Sequence, residues 1–170
     1  MKHKFLLLYC WFVRSALFFL PDHPLLMRLR GILYSIFIKK CGSNFQVTHS
    51  AMLSAIENLT IGNNVYIAQF CIVAAHGGLV IGDNVMVGHH SVIASASHAR
   101  KNGYFSLLEL ELGPVKIESG AWVTAHCTVL PHSILPAASV LGAGSVLNKA
   151  FTDAHCLYAG VPATLIRKLD

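Results

Sequence analysis

The chain of 170 residues is short of charge. Lys, Arg, Asp and Glu make up 12% of it, against about 25% in an ordinary soluble domain. Apolar types make up 54%, so this is not a disordered chain, which would be rich in charge and poor in apolar residues. With only 13 basic residues it lacks the broad Lys/Arg surface of a nucleic-acid binder. The cysteines (Cys10, Cys41, Cys71, Cys127 and Cys156) are odd in number and have no C-x-x-C spacing. That argues against a disulfide framework and a structural zinc site, and fits a reducing, cytoplasmic compartment. No apolar run reaches the ~20 residues of a spanning helix. The run Phe5–Leu20 is shorter, contains Arg14 and ends at Pro21 and Pro24, which halt a helix. A mean hydropathy of +0.56 therefore calls for a fold that hides much apolar surface, and the length suits one domain.

The few charges are unevenly placed. Residues 1–40 hold seven basic residues against Asp22 alone, a net of +6, and residues 41–170 carry a net of −1. Met1–Lys4 followed by an apolar stretch has the outline of a secretory leader. No small-x-small cleavage site follows where one is needed, and the chain continues into a second amphipathic stretch, Ile32–Ile38. We expect two short apolar, basic helices in residues 1–40. They either lie on an anionic membrane surface, as a peripheral contact at the inner membrane face, or cap the core or pack on another subunit.

From residue 41 the sequence repeats. Leu59–Ala68 (LTIGNNVYIA) aligns with Leu79–Gly88 (LVIGDNVMVG) at an offset of 20, and the finer period is six. Aliphatic anchors fall at Ile61, Ile67 and Val73, then at Ile81, Val87 and Ile93. They resume at Ile117, Val123, Val129, Leu135, Leu141 and Leu147, after a weaker first turn of Cys41, Val47 and Leu53. Turn formers such as Gly62-Asn63-Asn64 and Gly142-Ala143-Gly144 lie between them. The period is not helical. Short strands with a turn every six residues close a triangle in three steps and stack as parallel coils ~4.8 Å apart. The expectation is an all-β parallel β-helix with its anchors inward, and two-residue corner bulges at Glu57-Asn58 and Gly77-Gly78 explain the 20-residue offsets. The period fails between Ile93 and Ile117, where an insert over residues 97–114 leaves the coil. We divide the chain into an N-terminal helical segment (1–40), a coil (41–155) with that insert, and a C-terminal tail (156–170).

This pattern resembles the hexapeptide-repeat acyltransferases, whose fold is a left-handed parallel β-helix. Gly142-Ala-Gly-Ser-Val and the ending Tyr158-Ala-Gly-Val-Pro-Ala-Thr-Leu-Ile-Arg are similar to the motifs of the sugar and polysaccharide O-acetyltransferases. The resemblance covers residues 41–170. It implies a homotrimer that moves acetyl from acetyl-CoA to a hydroxyl of a cell-surface saccharide or its precursor, in polysaccharide biosynthesis and without a metal. His98, at the root of the insert, takes the place of the family's catalytic base. An imidazole with a pKa near ~6.5 suits that task, because a sugar hydroxyl is a poor nucleophile at neutral pH. Tyr66 matches an acceptor-side tyrosine. His76 stands where relatives carry an acidic acceptor contact, and Ala68 where they carry an acceptor-binding Asn, so a simple galactoside is not the expected acceptor.

On the cofactor side the resemblance sets Trp122 near the acetyl group and His98, Ala125 and Ala143 along the pantetheine, and Asn148, Lys149 and Arg167 toward the nucleotide. Relatives have Ser where Ala125 stands and Thr-Lys where Asn148-Lys149 stands. They commonly have Gly at His132 and Pro136. No cysteine is placed for an acyl-enzyme, so direct transfer in a ternary complex is expected. Alternatives on the same fold are N-acetylation of an amino-sugar nucleotide, a non-catalytic scaffold and a γ-type carbonic anhydrase. The H-x4-H pair of the last is missing, since His89-His90 and His126-x5-His132 do not reproduce it.

Overall fold

A computed structural model describes residues 2–170. It shows a left-handed parallel β-helix capped by two helices, α1 (Lys2–Ala16) and α2 (Pro24–Ser35). The coil has three faces. The first stacks Lys40–Cys41, Leu59–Ile61, Leu79–Ile81, Val115–Ile117 and Ile134–Leu135. The second stacks Gln46–Val47, Tyr66–Ile67, Met86–Val87, Trp122–Val123 and Val140–Leu141. The third stacks Met52–Ser54, Ile72–Ala74, Val92–Ala94, Thr128–Val129 and Val146–Leu147. Pairing is parallel and in register with the repeat: Ile61 stands over Ile81, Ile81 over Ile117, and Ile117 over Leu135.

The anchors from Val47 to Leu147 are all buried. Full burial of one aliphatic side chain contributes about 1.5–3 kcal/mol, and the ladder repeats it in every coil. Cys41 is only half-buried, because it opens the first coil directly after the helices. The two-residue bulge at Glu57-Asn58 belongs to a short 3₁₀ turn, Ile56–Asn58.

Corners use left-handed backbone. Asn44, Asn64 and Asn84 sit one above another with φ of 56°, 55° and 56°. Asn tolerates this region better than most residues with a Cβ. Their amides also form a ladder, with Asn44 Nδ2 donating to Asn64 Oδ1 at 3.0 Å and Asn64 Nδ2 to Asn84 Oδ1 at 3.1 Å. Asn64→Ala keeps the strained φ and loses both bonds. It should lower unfolding stability by about 1–2 kcal/mol, read as a shift in the urea midpoint at constant m-value.

The insert over residues 97–114 is an antiparallel hairpin of Ala96–Lys101 and Tyr104–Leu112. The alternating stretch Tyr104–Leu112 forms a strand because it pairs with the chain leaving the coil. Residues 156–170 form a second hairpin, Cys156–Gly160 with Ala163–Lys168, which extends the second face. At the other end α1 and α2 close the coil. Leu6, Cys10, Val13, Met27 and Tyr34 are buried against it. Pro24 opens α2, and His23 Nδ1 accepts the Leu25 N–H at its start. Among the described residues no helix is long and apolar enough to cross a membrane.

Candidate active site

His98 lies on the outgoing strand of the inserted hairpin, opposite Leu110. The pairing slips immediately afterwards: Arg100 opposes Phe105, so the four residues Ser106–Glu109 of the returning strand face Ala99 alone. Bulges of this kind re-aim side chains beside active sites. Here the bulge carries the group that orients the histidine. Nδ1 of His98 lies 2.9 Å from the Ser106 carbonyl oxygen. A carbonyl can only accept, so Nδ1 carries the hydrogen and Nε2 of the neutral ring keeps its lone pair. Ser106 is itself held, its Oγ accepting the Leu108 and Glu109 N–H groups. Lys101 and Glu109 pair across the hairpin at 2.6 Å.

The root of the hairpin is tied to the coil above. The buried Ser95 donates from Oγ to the Ala74 carbonyl at 3.1 Å and accepts the Gly77 N–H at 2.9 Å, and its carbonyl takes the Gly113 N–H at 2.9 Å. Gly77 fits there because a Cβ would meet the Gly113 nitrogen at 2.7 Å and overlap the Ser95 carbonyl. Gly77→Ala therefore pushes the hairpin root outward. It should cost about 1–3 kcal/mol of stability as overpacking does, measured by urea unfolding.

The hairpin and coil border an open cavity of about 380 Å³, which brings His98 together with His76. Leu107, Leu108 and Leu110 from the bulged strand form its apolar wall, with Ala96 and Ser97 of the outgoing strand and Ala74 of the coil opposite. Leu108 is 93% exposed, so this wall stands free of the coil. Burial pushes the His76 pKa down, helped by the neighbouring His3 and opposed by Glu57. His76 is thus a neutral donor–acceptor at neutral pH. His3, on the first turn of α1, lies edge-on to His76 at 5.6 Å and contacts Glu57 Oε1 through Nδ1 at 2.7 Å.

Tyr66 is not in this cavity. It lines a separate groove of about 240 Å³ on the second face with Ala68, Met86, Gly88, Trp122 and Ala125. The groove wall is almost wholly apolar, and burial raises the Tyr66 hydroxyl pKa, followed by the nearby charges of Asp22 and Cys71. The two cavities share no residue. Trp122, on the second face, and His98, on the inserted hairpin, thus line different cavities of one chain. Ala143, Asn148 and Lys149 lie exposed at corners. The Lys149 ammonium sits over the Phe151 ring at 5.1 Å, and the exposed Arg167 opposes Leu157 in the C-terminal hairpin. His89, His90, His126, His132 and His155 are all exposed, with Phe70, His90 and His126 stacked along one corner.

Several parts of the site had no sequence signal. The Ser106 carbonyl is a backbone group, and no pattern places it on His98. His3 and Glu57 are 54 positions apart. The leucines of the insert, Leu107, Leu108 and Leu110, are the one sequence signal for the cavity wall.

No protein-family model matches the chain. The "Putative acetyltransferase SAR2635" of Staphylococcus aureus (strain MRSA252) is 37% identical over 73 residues, 43% of this chain and 34% of that protein. A second Staphylococcus aureus protein, "Putative acetyltransferase SAV2555" of strain Mu50, is 41% identical over 58 residues, 34% of this chain and 29% of that one. The chain thus spans about a third of the length of these curated relatives. Among solved structures, the hexapeptide-repeat acetyltransferase VCA0836 of Vibrio cholerae superposes with a TM-score of 0.85 at 20% identity, over 100% of this chain and 94% of that one. That protein has also been solved with acetyl-CoA. A maltose O-acetyltransferase from Clostridium difficile 630 gives 0.84 at 23% identity, over 96% and 86%. A galactoside acetyltransferase in complex with coenzyme A gives 0.83 at 23% identity, over 99% and 83%. The chain therefore has the hexapeptide-repeat acetyltransferase fold.

Proposed function

We propose that this protein is a saccharide O-acetyltransferase, moving acetyl from acetyl-CoA to a hydroxyl of a cell-surface saccharide or its precursor, with His98 as general base. The observation that carries the reading is the His98–Ser106 hydrogen bond at the mouth of a cavity large enough for a sugar ring. It leaves Nε2 as the free base. The solved neighbours, two of them sugar acetyltransferases by name, support the same chemistry.

In this reading the acceptor hydroxyl gives its proton to Nε2 of His98 as its oxygen bonds to the thioester carbonyl carbon. The carbon–sulfur bond then breaks, and the imidazolium returns the proton to the departing CoA thiolate. His76 contacts the acceptor. Trp122, Ala125 and Ala143 line the path of the pantetheine. Asn148, Lys149 and Arg167 lie toward the nucleotide end, where the two cations meet phosphate charge. Trp122 and His98 line different cavities of one chain, so the complete site forms between neighbouring chains of a homotrimer.

The test is to incubate the chain with acetyl-CoA and a panel of saccharides and amino sugars. Release of CoA thiol with a base-labile ester product supports the reading. Amide products from amino sugars alone replace it with N-acetylation, and no thiol release with any acceptor overturns it. Sedimentation tests the trimer, and activity in a purely monomeric preparation removes the composite site.

A further inference from the structure

The helical cap buries one side and leaves the other bare. In α2 the buried residues are Met27, Arg30, Gly31 and Tyr34. On the opposite side Leu25, Leu29, Ile32 and Ile36, spaced 4-3-4, form an exposed apolar stripe. In α1 the buried residues are Leu6, Cys10 and Val13, and the outward side shows Leu8 and Phe12, continued beyond the helix by Phe19, which is 93% exposed. Nothing in the coil covers these stripes, because both helices already use their inner sides on it. The helices also touch one another, the Tyr9 hydroxyl donating to the Leu33 carbonyl at 2.7 Å.

The charge around this apolar platform is mainly of one sign. Lys4 and Arg28 are exposed on the helices, and Lys39 and Lys40 on the segment that leads from α2 into the coil. The only acidic residue before Glu57 is Asp22, whose carboxylate is taken up by Arg30, His49 and Gln69. An apolar face edged by cations, with Glu57 as the one further carboxylate beside it, half-buried and in contact with His3 of α1, fits an anionic bilayer surface. Aliphatic and aromatic side chains enter the acyl boundary, and Lys/Arg meet lipid headgroups. Helices of 15 and 12 residues are too short to span and long enough to lie in the interface.

We propose that α1 and α2 form a docking platform for an anionic lipid surface. The platform goes beyond the acetyl-transfer reading and does not depend on it. Because His3 of α1 neighbours His76, docking holds the His98 cavity beside the membrane. A second copy of this chain is the competing occupant, and the experiment separates the two.

The purified full chain is mixed with vesicles of phosphatidylcholine alone, or of phosphatidylcholine with phosphatidylglycerol, and floated on a density gradient without acyl donor. The chain is expected to float with the anionic vesicles and to be released by salt. Replacing three cations, in Lys4→Gln/Lys39→Gln/Lys40→Gln, should weaken partitioning by about a hundredfold, at the usual contribution per basic residue near an anionic leaflet. Phe12→Ser/Phe19→Ser/Ile32→Ser alters only exposed positions. It should abolish flotation while circular dichroism and sedimentation stay unchanged. Equal behaviour with neutral and anionic vesicles, or no flotation, overturns the proposal. So does dissociation of a solution oligomer by the apolar variant, which would assign the platform to a second copy. Failure of acetyl transfer leaves the flotation result standing, so the two readings fail separately.

Discussion

His98→Ala should lower the kcat/KM of acetyl transfer by about 10²–10⁴-fold, the usual contribution of a positioned general base. The expectation rests on three features. Nδ1 is committed to the Ser106 carbonyl, so in the neutral ring only Nε2 can take a proton. The slip in the hairpin pairing gives the bulged strand the slack to reach the histidine. The ring also stands at the edge of a cavity that holds a second histidine, His76, whose pKa burial pushes down, and no cysteine. His98 is exposed and packs in no core, so its removal should leave the oligomer, the circular dichroism and the affinity for CoA unchanged. The loss should therefore appear mainly in kcat. Near-normal turnover by the variant would remove His98 from the chemistry and move the search for a base elsewhere in the same cavity.

The coil was legible because its physics is local and repeated. One inward position in six must be aliphatic, and an error at any coil would misalign every later anchor. The run from Ile117 to Leu147 shows no slip, and its residues stack directly in the structure. One corner was legible in the same way, since Asn44, Asn64 and Asn84 are the residue type that accepts left-handed backbone, whereas Phe70, His90 and His126 take the same backbone at another corner without such a signal.

The inserted hairpin was legible only as a break. Its strands exist because Ala96–Lys101 and Tyr104–Leu112 pair with one another, and a single sequence does not state pairing across a bulge. The candidate site divides along the same line. The position of His98 followed from the break and from the family it resembles. The group that sets its tautomer is a backbone carbonyl, and its neighbours His76, His3 and Glu57 meet through the stacking of a helix on a coil. Such contacts depend on tertiary packing and leave no spacing to read. The capping network below has the same character: Asp22 and Gln69 lie 47 residues apart.

Removing the Asp22 carboxylate should detach the helical cap from the coil. Arg30 is buried to 2% exposure and reaches the Asp22 carboxylate at 3.0 Å, with Nη2 donating to the Leu20 carbonyl at 2.6 Å. Asp22 in turn accepts the His49 backbone N–H at 2.9 Å and the Gln69 amide at 3.0 Å, and contacts the His49 ring at 2.8 Å. One carboxylate therefore joins the turn between the helices, α2 and two coils. Asp22→Ala leaves the guanidinium buried without its counter-charge, which costs about 3–5 kcal/mol when a buried pair is broken on one side. The double variant Asp22→Ala/Arg30→Met removes both charges and should recover part of that loss. The wild-type dependence on pH has a definite sign. Burial raises the Asp22 pKa, but the hydrogen bonds from His49 and Gln69 outweigh it, and the net effect is a lowered value. A depressed carboxylate stabilises the fold fully above the ordinary Asp pKa of about 3.9, and this stability is lost as pH falls through the lower folded value. Urea unfolding followed by the helical signal near neutral pH and again below pH ~4 should therefore show the wild type losing its advantage over Asp22→Asn in acid. An equal gap between the two proteins at both pH values would mean that the carboxylate charge does not hold the cap.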